Sequence, residues 1–351
     1  MGNHRQLIRD FHAGQYLDLL LVSAVSAVLA IRFFLYAAGY PTVGGDSLHI
    51  AHMLWGGLLM LVALILVLSY LGRRAHQLAA LMGGVGFGTF IDEVGKFVTH
   101  DNDYFYRPSI AIMYVVFVLT YLVIRSIHRV RQPVEEEYLL NALQEVANVA
   151  VNDLDREERD RALRYLARAD ARHPLVPRLR EVLMGSELVP TPNPHPLVRL
   201  QNSAIRVYRR AAATPVFPKA IIAFFVVQLA ARVVHVLTVV LRGDLARPAR
   251  GEASEFGRVV EELSFVDWAQ LGSSLLSAVL VALGIVWIRR SRIAAFRWFQ
   301  RSILVSIFIT QLFTFYEDQW GALTALVFNL LVLLALNFAI EHETARRSSR
   351  V

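Results

Sequence analysis

The stretch FIDEVGKF, residues 90–97, places Asp92, Glu93 and Lys96 inside a segment that hydropathy marks as a membrane span. Side chains four apart share one helix face, so Gly84, Gly88, Asp92 and Lys96 form a single ridge. Its two glycines invite a neighbouring helix to close approach, which the sequence assigns to the second span. Asp92 and Lys96 are expected to pair at this spacing, lowering the cost of holding either charge in a low dielectric. Glu93 is rotated by about 100° and needs another partner. Arg32, on the first span at similar depth, fills that role.

His49 and His52 share a face at the start of the second span, and Gly56 continues it. Two imidazoles opposite Asp92 and Glu93 would make a nitrogen–oxygen donor set suited to a divalent metal such as zinc, iron or manganese. The plain alternative is a hydrogen-bonded pair of interfacial histidines. The loop THDNDYFYRP lacks the glycine and the twelfth-position glutamate of an EF-hand. It reads as a solvated cap, with Tyr104, Phe105 and Tyr106 in an aromatic belt. Ionisable groups within a membrane are costly and mark pathways or sites, unless they form an ion network that only fixes helix packing.

These side chains need helices to carry them. The chain has 351 residues, 55% of them hydrophobic, and a mean hydropathy of +0.44. Long uncharged runs match the roughly 20 residues that cross a bilayer. Eight spans are expected, near 16–38, 48–70, 77–98, 109–128, 216–241, 265–287, 302–316 and 320–340. Arg73 and Arg74, Arg125 and Arg129, Arg289 and Arg290, and Arg346 and Arg347 follow every second span. The positive-inside rule then puts those loops and both termini in the cytoplasm of a multi-pass cell-membrane protein. The net charge of +7 belongs to these loops, so nucleic-acid binding is not expected and membrane lipids are the surroundings. Cysteine is absent, which excludes disulfides, thiolate catalysis and cysteine-ligated metals.

The polar segment 131–215 separates the membrane regions 1–130 and 216–351. It reads as a small cytoplasmic helical segment that packs on the inner loops or docks a cytoplasmic protein partner. Asp155 and Glu158 have capping-box spacing ahead of a helix. The basic piece LVRLQNSAIRVYRRAAA is expected to lie on the membrane surface.

The two membrane regions resemble each other. LAIRFFLY in span one sits against LAARVVHV in span five, with Arg32 opposite Arg232. HMLWGGLLM sits against WAQLGSSLL, and each is followed at one spacing by a basic pair. FIDEVGKF then sits against FITQLFTF, setting Asp92 and Glu93 against Thr310 and Gln311. The fold class expected is therefore all-α: two tandem four-helix repeats in parallel orientation, plus the cytoplasmic segment. The first repeat keeps the ionisable groups, so a single asymmetric site is expected in the outer half of the bilayer. The second repeat contributes Arg232, His235, Gln311 and Glu317.

GxSxG, Walker, CxxCH and HExxH motifs are all missing. Three function classes fit what is present. They are a transporter or channel for a small ion or solute, a membrane-embedded enzyme acting on a lipid or isoprenoid, and a scaffold subunit of a membrane complex.

Overall fold

The computed structural model describes residues 8–38, 52–100, 106, 108–129, 133–190, 203, 210, 214, 216–245 and 265–348. Among them every regular element is helical, apart from one isolated bridge between Asp155 and Val189. Six helical segments are long and apolar enough to cross a membrane: Ala13–Ala38, His52–Ser69, Pro108–Ser126, Trp268–Trp287, Arg292–Glu317 and Gly321–Thr344. The chain divides into two compact units, Met1–Ser109 with Val116–Pro194, and Ile110–Val115 with His195–Val351.

The first unit holds α1 (Ala13–Ala38), α2 (His52–Ser69), α3 (Arg73–Ile91), α4 (Val94–Val98) and most of α5 (Pro108–Arg129). Helix α3 is the packing centre, because its glycines let both neighbours reach its backbone. A Cβ on Gly84 would collide with Ser23 and the Leu20 carbonyl, and one on Gly88 with the Ala24 carbonyl. The expected ridge therefore faces α1 rather than the second span. Helix α2 uses a different pair: a Cβ on Gly56 would lie 2.6 Å from the Gly86 carbonyl oxygen, and one on Gly86 2.7 Å from that of Gly56. The correction has a simple cause. Glycines at 83, 84, 86 and 88 occupy more than one face of α3, so a single four-residue spacing could not name the partner. A helix covered on two sides also needs few lipid-facing side chains, and α3 starts Arg-Arg-Ala-His-Gln, which keeps it outside the six apolar segments.

Helices α6 (Glu135–Ala150), α7 (Arg156–Leu166) and α8 (Leu175–Gly185) form a bundle in the same unit. Leu139, Leu154, Leu166 and Leu183 are buried at its centre. The expected capping box is present: Glu158 N donates to Asp155 Oδ1 at 2.8 Å, and Asp155 N donates to Glu158 Oε2 at 3.3 Å. The bundle grips the chain just before α1. Arg9 donates to Glu137 at 2.9 Å, and His12 Nε2 lies 2.7 Å from Glu145 Oε1. The Phe11 ring meets Tyr138 and Tyr165 edge-on, each at 5.2 Å. Asn141 closes both ends of the junction, accepting from Phe11 N and donating to the Arg9 carbonyl. The hydrogen bond from Arg9 holds the Glu137 carboxyl below the usual carboxylate range. Burial opposes ionisation of Glu145, yet hydrogen bonds from His12 and Arg161 outweigh it and hold that carboxyl low as well. The start of α3 joins the same face, through Arg74–Asp153 at 3.2 Å and Arg73–Glu158 at 3.7 Å.

The second unit holds α9 (Val216–Leu245), α10 (Phe265–Trp287), α11 (Arg292–Val305), a π-helical stretch (Ser306–Thr310), α12 (Gln311–Glu317) and α13 (Gln319–Ser348). Its core gathers Phe225, Phe296, Phe299 and Leu336, with Phe225 and Phe299 stacked at 4.3 Å. The seventh expected span, 302–316, begins earlier than the hydropathy suggests. Ser291 Oγ accepts from Ala294 N at 3.3 Å and starts the helix at Arg292, directly behind the basic pair. The basic piece 197–213 lies almost wholly outside the described residues.

The glycine contacts predict a sharp contrast. Gly88→Ala should destabilise the protein by about 1–3 kcal/mol, as overpacking does. Gly57→Ala, one position along α2 from Gly56 with nothing within 4 Å of the added methyl, should leave stability unchanged or raise it by up to about 1 kcal/mol, as helix propensity favours alanine. Thermal unfolding of both variants in the same detergent checks this, and equal losses would refute the packing described.

Candidate functional site

Helix α3 ends at Ile91, Asp92 and Glu93 form a turn, and α4 resumes at Val94. Glu93 leaves helical geometry at φ −86°, ψ 7°. The sequence predicts one unbroken helix here, and the break changes who meets whom. The ion pairs the structure shows run Arg32 to Asp92 and Lys96 to Glu93, the reverse of those expected from i,i+4 spacing. Arg32 Nε donates to Asp92 Oδ1 at 2.7 Å, and Lys96 Nζ donates to Glu93 Oε1 at 2.6 Å. The turn puts the Lys96 amide on the Glu93 carbonyl at 3.0 Å, a three-residue step that brings those two side chains together.

Glu93 has a further task. Its Oε2 accepts from the backbone N–H of Met53 at 2.9 Å, in the first turn of α2. Amides there lack intrahelical partners, and a negative charge complements the helix dipole. His52 sits at the same turn. Its Nε2 lies 3.3 Å from Asp92 Oδ2 and its Nδ1 lies 3.4 Å from Glu93 Oε1. Both carboxylates are fully buried at 0% exposure, while the side chains of Arg32, Lys96 and His52 keep 18%, 22% and 29%. Acids thus lie inside, and cationic or protonatable groups form the accessible rim. Four elements supply the cluster: α1, the start of α2, the α3–α4 turn, and α4, which carries Lys96.

Of the residues the sequence nominates, Arg32, His52, Asp92, Glu93 and Lys96 meet in this one place. His49 and the acids of the loop at 101–103 lie outside the described residues. Arg232 and His235 lie on α9, and their side chains are likewise outside the description. Gln311 and Glu317 belong to the second unit. Gln311 is buried; its Nε2 donates to the Ala322 carbonyl and its Oε1 accepts from Asn329 at 3.5 Å. Neighbouring Thr310 meets Ser273 hydroxyl to hydroxyl at 3.0 Å. Glu317 is exposed at the end of α12.

The metal reading gains no support from this geometry. Among the described residues no group of three or more His, Asp or Glu is arranged to hold a metal ion. The two nitrogens of His52 address different carboxylates, and each carboxylate already faces a cation.

Sequence reasoning missed two features. One is the capping of α2 by Glu93, which depends on the helix break and leaves no spacing signal. The other is the cluster of Arg9, His12, Glu137, Glu145 and Arg161. Its partners are up to 133 residues apart along the chain, and only the charged, amphipathic character of EEEYLLNALQE hinted that this helix buries polar groups. Comparisons with protein-family models, with curated proteins and with solved structures found no match.

The pairing of Arg32 with Asp92 predicts a double-mutant result. Arg32→Met alone should be less stable than Arg32→Met combined with Asp92→Asn, because a buried carboxylate stripped of its guanidinium costs more than an absent pair. A coupling of about 1 kcal/mol or more is expected in the cycle. Strictly additive losses in thermal unfolding would show that the two side chains are not partners.

Proposed function

We propose that this chain is a cell-membrane protein of eight spans, with both termini cytoplasmic, and that it is a transporter or channel for a small ion or solute. Beyond the six apolar segments, α3 and α9 complete the count. α3 is 19 residues long and packed between α1 and α2, and α9 opens with the apolar stretch Val216–Ala230. The residues before α1, the start of α3 and the bundle α6–α8 touch one another and so lie on one side. Their arginines make that side the cytoplasmic one. Asp92 stands about 28 Å further along α3 at 1.5 Å per residue, which puts the polar cluster at the outer face.

The observation that carries the reading is the pair of wholly buried carboxylates at a helix break, ringed by Arg32, Lys96 and His52. Broken helices carrying charge mark ion and substrate sites in transporters, and buried charge in a membrane is kept for function. The tandem parallel repeat is supported by irregularity at matched positions. Asp92 and Glu93 interrupt α3, and Thr310 and Gln311, their counterparts, end the π stretch and begin α12. The second unit also carries neutral hydrogen-bonded pairs at successive depths: Ser273–Thr310, Ser277–Ser302 and Gln300–Asn337.

A second reading has its own observation. Beyond the cluster the backbones of α1, α2 and α3 touch through Gly56, Gly86 and Gly88, leaving little room for a solute to pass inward within that unit. This favours an enzyme acting at the outer leaflet on a lipid or isoprenoid. A scaffold role, with a cytoplasmic partner on 131–215, rests on the bundle alone.

Two measurements test these proposals. The absence of native cysteine makes single-cysteine labelling clean: Ala150→Cys and Ser348→Cys should react with an impermeant maleimide only after the membrane is opened. Reaction from outside at either position would refute the topology. Reconstituted protein on a solid-supported membrane should give currents after a step in proton, sodium, potassium or chloride concentration, and Glu93→Gln should abolish them. No current with any of the four ions, from protein shown to be folded, would overturn ion transport and leave the enzyme and scaffold readings.

A further inference from the structure

We propose that α1 is a lever coupling the α6–α8 bundle to the buried carboxylates at its far end. The proposal does not depend on what the outer cluster binds. Helix α1 is held at four places, one of them the Tyr16 ring stacked on His76 of α3 at 5.5 Å, between the dock and the middle contact. Just before its first residue, Arg9, Phe11 and His12 dock on the bundle through Glu137, the two tyrosine rings, Asn141 and Glu145. Near its middle, Leu20, Ser23 and Ala24 rest on Gly84 and Gly88 of α3. At its far end, Arg32 holds Asp92 at 2.7 Å.

The middle contact suits a fulcrum. Ser23 Oγ and the Leu20 and Ala24 carbonyls lie against the bare backbone of Gly84 and Gly88, and at those two positions α3 offers no side chain that a tilt of α1 must clear. At 1.5 Å per residue, His12 lies roughly 18 Å and Arg32 roughly 12 Å from Ala24. A movement of roughly 3 Å at the docked end therefore becomes roughly 2 Å at Arg32. That is enough to part a charged hydrogen bond, which fades within about 1 Å of its optimal length.

The docked end is built from replaceable interactions rather than from continuous core. The bundle has its own apolar centre of Leu139, Leu154, Leu166 and Leu183. Arg9, Phe11 and His12 lie over its α6–α7 face as an added segment. Glu145 accepts from both His12 and Arg161, so Arg161 can keep its charge paired when His12 leaves. On release Glu145 keeps Arg161, whereas buried Glu137 gives up Arg9 and keeps the Val134 amide at 3.3 Å, so opening the dock calls for a competing cation at Glu137. Anything that competes for this face frees the near end of α1, and the far end answers through Arg32.

Pulsed dipolar spectroscopy on spin-labelled cysteine pairs tests the coupling. Ile8→Cys with Leu140→Cys reports docking, and Ala37→Cys with Phe97→Cys reports the far end; all four positions are exposed. Two independent variants open the dock, Phe11→Ala and Arg9→Ala. The expected result is that either variant lengthens the Ile8–Leu140 distance and shifts the Ala37–Phe97 distribution by about 2 Å. An unchanged Ala37–Phe97 distribution, in a variant whose dock has opened, would overturn the lever. An unchanged Ile8–Leu140 distance in both variants would equally overturn it, because these side chains would then not hold the segment.

Discussion

A carboxylate cut off from solvent must receive its counter-charge from the fold, and much of the first unit follows from meeting that demand twice. Asp92 and Glu93 have no exposed surface, so each needs a cation and hydrogen-bond donors fixed before the site can exist. Asp92 takes Arg32 from α1. Glu93 takes Lys96 from the next turn and an amide from the start of α2. Three elements must therefore converge on one turn, and a continuous helix would not deliver both carboxylates to these partners. The interruption of α3 is the geometric solution to a solvation problem.

Convergence needs helices that run close together, and glycine supplies this. Gly84 and Gly88 admit α1, while Gly86 with Gly56 admits α2. Without a hydrophobic driving force between helices in lipid, close backbone contact and dispersion must replace it. The second unit solves the packing problem differently. Stacked Phe225 and Phe299 fill its centre, and neutral amides and hydroxyls replace the charges. Among the described residues, the first unit packs tightly around buried charge, and the centre of the second is aromatic.

The sequence made the charged cluster legible because ionisable residues in an apolar run stand out against their surroundings. Arg32, His52, Asp92, Glu93 and Lys96 could be picked out on that ground alone. Their pairing could not, because it depends on a helix break whose stabilising partner, the Met53 amide, sits 40 residues earlier and has no side-chain signature. The glycine spacing signalled close approach correctly and named the wrong neighbour, since α3 has glycine on two faces. Hydropathy marked 77–98 as a span, but it could not show that the helix begins at Arg73 and breaks at Asp92 and Glu93. It also started the seventh span late, because Ser291 begins that helix while the chain is still basic. The grip of the bundle on residues 9–12 was illegible for a plainer reason: partners 128 to 133 positions apart leave no local pattern.

That separation also orders events during synthesis. Residues 9–12 leave the ribosome first, while Glu137 and Glu145 follow only after α1, α2, α3 and α5 have been made. At 5–20 residues per second the gap is on the order of ten seconds. Throughout that interval the leading segment carries an arginine, a phenylalanine and a histidine with no bundle to receive them. Helices α1 and α3 are therefore both made before the bundle that secures the near end of α1 exists. The contact that fixes the start of α1 is thus one whose two sides are made far apart in time.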